Sequence, residues 1–331
     1  MQMLRNALTL TAAVAALLTP VLSSGAARAD DYPSRPIEVI ATFGAGGGAD
    51  LMARQFARLA EPHLRVAMPV VNVSGASGNA GLTRVLTNPA DGYTVGTLIA
   101  LSVSSWASGL GTAKPDNFVY VAMMQNSPSM LYVSKNSPFK TYEEFAAHAK
   151  ANPGKLRVAT SGYGTQDDIT LKYLGSQGVP VTNVPFARPS ERYASPIGGH
   201  TDAIYEEPGD VAQFLKSGDL RPIVVFDKQR HPSFPNVPAS AELGLEIGDL
   251  PNFRTLAVPA STPPERVQKL HEAAAKVLAS PEWKAFCADT FTCVDTLVTP
   301  DQAKEEVKAF YETVKGYLDR FATKTVGQSP G

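Results

Sequence analysis

The chain has 331 residues, with 30 Lys and Arg against 31 Asp and Glu, a net charge of −1, and 44% hydrophobic and 18% charged residues. This is the composition of an ordinary globular protein with enough chain for two domains. The near-neutral balance argues against a nucleic-acid surface, which would be clearly basic.

Arg5, an apolar run over residues 7–18, Pro20 and the small-residue stretch closing at Ala27-Arg28-Ala29 read as a signal peptide with an A-x-A cleavage site. Residues 1–29 are therefore expected to be removed. The apolar run is too short to span a membrane, and no Cys stands at the cleavage point to take a lipid. The mature chain is expected to be exported to the periplasm.

Residues 37–59 organise the mature chain: a short apolar strand, then Gly44 to Gly48, then Asp50, then Leu51, Met52, Phe56 and Leu59 at helical spacing. Glycines at such a join let backbone N–H groups of the loop and of the helix's first turn face an anion. A plain strand-to-helix turn has the same appearance. A P-loop would need Lys-Ser or Lys-Thr where Ala49 and Asp50 stand, and a dinucleotide fingerprint would need a third glycine at Ala49. Asp50 reads better as a helix cap or loop brace than as a catalytic acid.

A strand over 66–73 leads into the small-residue loop 74–79 and a helix over 81–87, and 93–101 reads as a strand ending at Ser102. Strands over 119–124 and 130–133 are separated by polar residues 125–128. The pattern then restarts: a helix through Ala151, a strand over 156–160, and a second Gly/Ser loop over 161–167 at a helix start. Strands at 181–186, 203–205, 221–226 and 253–258, with helices at 190–197, 211–216, 264–279, 281–288 and 300–321, complete the chain. Strand-helix-strand alternation implies parallel pairing with crossover helices, the loops after the strands sharing one edge.

Cys287 and Cys293 bracket a short turn. In an oxidising compartment they form a local disulfide or remain two buried thiols, and zinc is disfavoured without C-x-x-C or paired histidines. His63, His148, His200, His231 and His271 are scattered, and no G-x-S-x-G elbow is present. Glu206 and Glu207 at a strand end could suggest acid/base chemistry, but such pairs more often brace arginines.

The blocks YPSRPIEVIATFGAGGGADLMAR, VSGASGNAG, NPADGYTVG, PGKLRVATSGYGT, SGDLRPIVVF, FPNVPASAELG and VPASTPPERV, in this order, resemble the tripartite tricarboxylate transporter substrate-binding family, the TctC-like periplasmic receptors. The resemblance implies a two-lobed α/β periplasmic binding protein fold, type II-like, each lobe a mixed, mostly parallel sheet flanked by helices, with a hinge of crossing strands near 125–130 and 250–255. It implies lobe 1 from residues 30–125 plus 255–331 and lobe 2 from 126–254. A small organic carboxylate would be the ligand and membrane permease subunits the partners. No enzyme activity, cofactor, metal or nucleic acid is expected, and the receptor is expected to act as a monomer. A sensor subunit, or a secreted enzyme acting on a carboxylated substrate, are the alternatives.

Carried over by position, the ligand contacts fall on Phe43, Gly46, Gly47, Asp50, Ser77 and Ser102, and on Ser161, Gly164 and Thr165 of the second loop. Gln166 stands where relatives have Ser or Thr, and Asp167-Asp168 where they have Ser-His, so the second end of the ligand is expected to be read differently. Phe186-Ala187-Arg188 replaces a usual Tyr-Lys-Gly. Of Arg188, Arg192 and Arg254, Arg188 is expected first to bind a distal carboxylate, with Glu206 beside it; a salt bridge from Arg188 to Glu206 or Glu191 is the alternative.

Overall fold

The computed structural model describes residues 31–292 and 298–326, with side chains to residue 320. The expected leader, and Cys293 of the expected disulfide, lie outside the described residues; Cys287 is buried. Contacts divide the chain into Met1–Tyr32 and Pro33–Gly331, and the architecture is that of the second unit.

Ten strands form two five-stranded sheets among the described residues. The first takes β1 (Glu38–Ala41), β2 (Val70–Asn72), β3 (Thr94–Ile99), β4 (Phe118–Ser127) and β10 (Asn252–Pro259), ordered β2-β1-β3-β10-β4. The second takes β5 (Met130–Ser134), β6 (Arg157–Thr160), β7 (Thr182–Pro185), β8 (Ala203–Glu206) and β9 (Leu220–Val225), ordered β7-β6-β8-β5-β9. In each sheet three strands run parallel, and the fourth position is filled by an antiparallel strand. That strand is the one by which the chain arrives from the other sheet, since β5 follows β4 after Pro128 and Ser129, and β10 follows the last strand of the second sheet. Two crossings thus tie two lobes that share one topology.

Helices α1 (Gly48–Leu64), α2 (Asn79–Thr87) and α3 (Ala100–Ala107) follow the first three strands. Helices α4 (Tyr142–Ala151), α5 (Gln166–Ser176), α6 (Pro189–Ala194) and α7 (Ala212–Lys216) serve the second sheet. Then come α8 (Pro264–Ala279), α9 (Pro281–Asp289) and α10 (Pro300–Val326). Burial of Met52, Ala53, Phe56, Ala57 and Ala60 along α1 realises the apolar stripe read from the sequence. The last helix touches both lobes: Phe310 meets Phe253 edge-on at 5.1 Å, and Tyr317 meets Tyr173 of α5 at 6.4 Å. No helix among the described residues is long and apolar enough to cross a membrane.

Three elements differ from expectation. The strand over 93–101 stops at Ile99, and α3 begins at Ala100, so Ser102 sits inside a helix. Residues 100–106 are all buried, and a short helix buried on every side has no apolar stripe to distinguish it from a strand. The second strand is only Val70–Asn72, whereas β4 runs on through Gln125 to Ser127 by pairing with β10.

Gly81 fixes the loop before α2. A Cβ there would lie 2.7 Å from the Val73 carbonyl and 2.8 Å from Thr42 Cγ2, so the helix approaches the ends of β1 and β2 only because no side chain intervenes. Helix propensity alone favours Ala over Gly by about 1 kcal/mol, whereas overpacking costs about 1–3 kcal/mol. Gly81→Ala is therefore expected to lower stability in urea denaturation; a rise would show that the backbone yields to the methyl group.

Candidate functional site

Each lobe presents a strand-to-helix turn to the space between the sheets, and the two turns are braced alike. After β1, Gly46 adopts φ +78° and its N–H donates to Asp50 Oδ2 at 3.0 Å. Asp50 Oδ1 accepts from Asn72 Nδ2 at 2.8 Å and pairs with Arg54 one turn on, at 2.9 Å. After β6, Gly164 adopts φ +69° and donates to Asp168 Oδ2 at 2.9 Å. Asp168 Oδ1 accepts from Asn183 Nδ2 at 2.9 Å, and Asp168 pairs with Lys172 at 2.8 Å. In both, a buried carboxylate in the first helical turn reaches back to the turn's left-handed glycine and sideways to an Asn on the neighbouring strand.

The first turns of the two helices differ in what else they carry. In α1, the positions before Asp50 are Gly48 and Ala49, which add almost nothing beyond backbone, and the first N–H groups of a helix have no acceptor within it. In α5 the same positions are Gln166 and Asp167. The Asp167 carboxylate accepts from the Ser161 backbone N–H at 2.8 Å and from Ser161 Oγ at 2.5 Å, so this turn already holds an anion. Burial, then the nearby Glu206, raises the Asp167 carboxyl to about 6.

Between the turns lies a cavity of about 310 Å³. Gly47, Gly48 and Ala49 line it from the first lobe, with loop 74–78; Ser161, Arg192, Glu206, Glu207 and Asp210 line it from the second, and Arg254 of β10 also lines it. Residues 75–78 all have positive φ, including Ala76 at +48° and Ser77 at +55°, a strain that a loop bears when its surroundings fix it. Here Ser102 Oγ donates to the Ser77 carbonyl at 2.9 Å, and a Cβ on Gly78 would sit 2.6 Å from that Oγ.

The lobes are in contact across the cavity. Ser108 Oγ of the first donates to the Gly164 carbonyl of the second at 2.7 Å. A Cβ on Gly48 would lie 2.0 Å from Asp210 Oδ1, and one on Gly47 would meet Pro189 at 3.3 Å.

The second wall is a charged cluster with almost no exposure. Arg192 Nε donates to Glu206 at 2.7 Å; Arg254 donates to Glu207, to Asp210 at 2.8 Å and to Gln125 at 3.1 Å; Asn252 donates to Glu207, and the Tyr193 hydroxyl donates to Asp210 at 3.1 Å. Burial, then Glu206, pushes the Asp210 carboxyl well above its usual value, against the pull of Arg192. Burial draws Arg254 down to about 10, which leaves it charged at neutral pH. Among the described residues, Arg254 Nε and Asn252 Oδ1 are buried without partners. Glu206, Glu207 and Asp210 are the one group among the described residues whose spacing could hold a metal ion, all within 4.8 Å, although guanidiniums already stand against them.

Of the residues expected at the site, Phe43, Gly47, Ser77, Ser161 and Glu206 line the cavity. Gly46, Asp50, Ser102, Gly164 and Thr165 form the hydrogen-bonded frame behind it, Thr165 Oγ1 donating to the Gly162 carbonyl at 2.8 Å. Gln166 is buried and donates to Ser129 Oγ at 3.4 Å. Arg188 lies outside the lining: it is exposed and forms a surface salt bridge with Glu191 at 3.0 Å, the alternative role expected for it. Residue 188 precedes α6 and faces solvent, whereas Arg192, one turn on, faces the cavity. Sequence reasoning missed Gly48, Asp210 and Tyr193; the glycine run could have marked the first, but nothing local marks the others.

Burial alone would raise Asp50, but Arg54, the Gly46 amide and Asn72 together hold it below its usual 3.8. A carboxyl with a depressed folded-state value contributes stability that is present above 3.8 and is lost as pH falls through the depressed value. Asp50→Asn is expected to cost about 2 kcal/mol at pH 7 in denaturant titration. The gap to wild type should narrow in strong acid; a gap independent of pH would mean that the ionised brace is not its source.

The family described as "Tripartite tricarboxylate transporter family receptor" matches residues 52–309. A UPF0065 protein in the gbd 5' region of Cupriavidus necator is 32% identical over 84% of this chain and 85% of its own. BugT of Bordetella pertussis is 30% identical over 83% and 86%. Among solved structures, a TctC solute binding protein from Polaromonas without ligand is 30% identical (TM-score 0.66; 87% of this chain, 99% of that one). A periplasmic transporter is 25% identical (TM-score 0.81; 87% and 97%). MatC of Rhodopseudomonas palustris with bound malate, at 24% identity, TM-score 0.80 and coverage of 86% and 99%, shares the fold. The two-lobed architecture, the braced turns and these matches together make the chain a member of the tripartite tricarboxylate transporter receptor family, a solute-binding receptor.

Proposed function

We propose that the protein is a periplasmic receptor that captures a small carboxylate-bearing metabolite by closure of its lobes and delivers it to a tripartite tricarboxylate-type membrane permease. One observation carries this reading: the turn before α1 repeats the frame of the turn before α5, but has no side-chain carboxylate in the place where α5 seats one. Asp167 shows how such a turn holds a carboxylate, on the Ser161 amide and beside a helix N-terminus. In the first lobe the matching amide is that of Phe43, and Gly48 and Ala49 supply the first-turn N–H groups without a polar side chain. A ligand carboxylate there gains directed donors and the positive end of a helix.

Closure follows from the same geometry. A ligand on Gly48 and Ala49 also faces the second wall, so it gains contacts only when the lobes are shut, and its affinity difference between the two shapes shifts the population. Both glutamates of the pair at the end of β8 are held by guanidiniums, which supports binding over acid/base chemistry.

In a thermal-shift screen of organic acids and amino acids, at least one carboxylate at saturating concentration is expected to raise the melting temperature, with the compound recovered unchanged by NMR. Turnover by the pure protein would overturn the receptor reading. Gly48→Ala places a methyl group against Asp210 and Arg254 only in the shut form. It is expected to weaken that ligand about tenfold or more, with the unliganded melting temperature close to wild type. Unchanged affinity would mean that closure on Gly48 is not part of capture.

A further inference from the structure

The second turn is filled by the protein itself. Asp168 alone repeats the bracing role of Asp50, so Asp167 is an additional carboxylate, standing where the first lobe has Ala49. It occupies the Ser161 amide and hydroxyl that a ligand's far carboxylate would need. Beside it the cavity presents three acids, Glu206, Glu207 and Asp210, against only two guanidiniums. A second anion entering this wall would face the Glu206, Glu207 and Asp210 carboxyl groups after losing its hydration, whereas an ammonium would meet acceptors on several sides.

We propose that Asp167 is a built-in substitute for a ligand carboxylate, so that the receptor selects a zwitterion: one carboxylate on the first turn and a protonated amine toward Glu206, Glu207 and Asp210. The inference rests on the carboxylate reading of the first turn and narrows its ligand class. It makes Asp167 a specificity-determining residue, whose negative charge rejects dicarboxylates of the same length.

The test is calorimetric titration of the full mature protein with matched acids that differ only at the far end: 4-aminobutanoate, butanedioate and butanoate, and the longer set 6-aminohexanoate, hexanedioate and hexanoate. In at least one set the aminocarboxylate is expected to bind about tenfold or more tighter than the dicarboxylate. Asp167→Ser, which removes the built-in carboxylate from the second turn, is expected to raise affinity for the dicarboxylate by a similar factor. A wild-type protein that prefers the dicarboxylate, or binds it equally well, overturns the inference while leaving the carboxylate reading intact. Should no carboxylate of either set or of the wider screen bind, the reading of the first turn fails and this inference with it. The wild-type comparison needs no variant, so poor folding of Asp167→Ser would not shelter the proposal.

Discussion

A buried aspartate at the third position of a helix, reaching back to a left-handed glycine, is the interaction on which the cleft depends. It fixes the turn before α1 through Asp50 and the turn before α5 through Asp168, each tied to an Asn on the next strand. With its carboxylate satisfied on several sides, each aspartate can be buried at a cost its partners offset. The rest of each turn is then held at the mouth of the helix. What the two lobes do with this common frame differs: the first has Ala49 in the position before the aspartate, and the second has Asp167 there, held on the Ser161 amide and hydroxyl.

That difference gives the cavity its polarity. On one side is helix-start backbone without polar side chains, at Gly48 and Ala49; on the other is a wall of carboxylates and guanidiniums anchored on α6, β8 and β10. Gly48 is where the sides meet, since it has room for Asp210 and Arg254 only because it lacks a Cβ. The same glycine thus serves the exposure of the first-turn N–H groups and the approach of the second lobe. Arg254 enters on β10, the strand that returns from the second sheet to the first, and through Gln125 of β4 it links the charged wall to the crossing strands.

Much of this was legible in the sequence because it is local. Glycines between an apolar strand and an amphipathic helix specify a turn whose chemistry hardly depends on distant residues, and Asp50 as a brace followed from its place in the first helical turn. The alternation of strands and helices likewise pointed to two α/β lobes. The helix at Ala100–Ala107 was not legible, because burial on all sides erases its periodicity. Nor was the choice among arginines: Arg188 and Arg192 lie one turn apart, and which faces the cleft depends on how α6 packs. Asp210 and Arg254 become neighbours of Gly48 only through tertiary contact, which no spacing along the chain encodes. Asp167 was visible as a departure from relatives, but its hydrogen bond to Ser161 required coordinates.

Capture, closure and selectivity, as proposed, all rest on a carboxylate seated at the first turn of α1. Amide-proton NMR of the isotope-labelled protein, titrated with whichever carboxylate stabilises it most, tests this directly. Large downfield shifts concentrated at the Phe43, Gly48 and Ala49 amides are the expected result. Shifts confined to the Arg192 and Arg254 guanidiniums, with those amides unmoved, would contradict it.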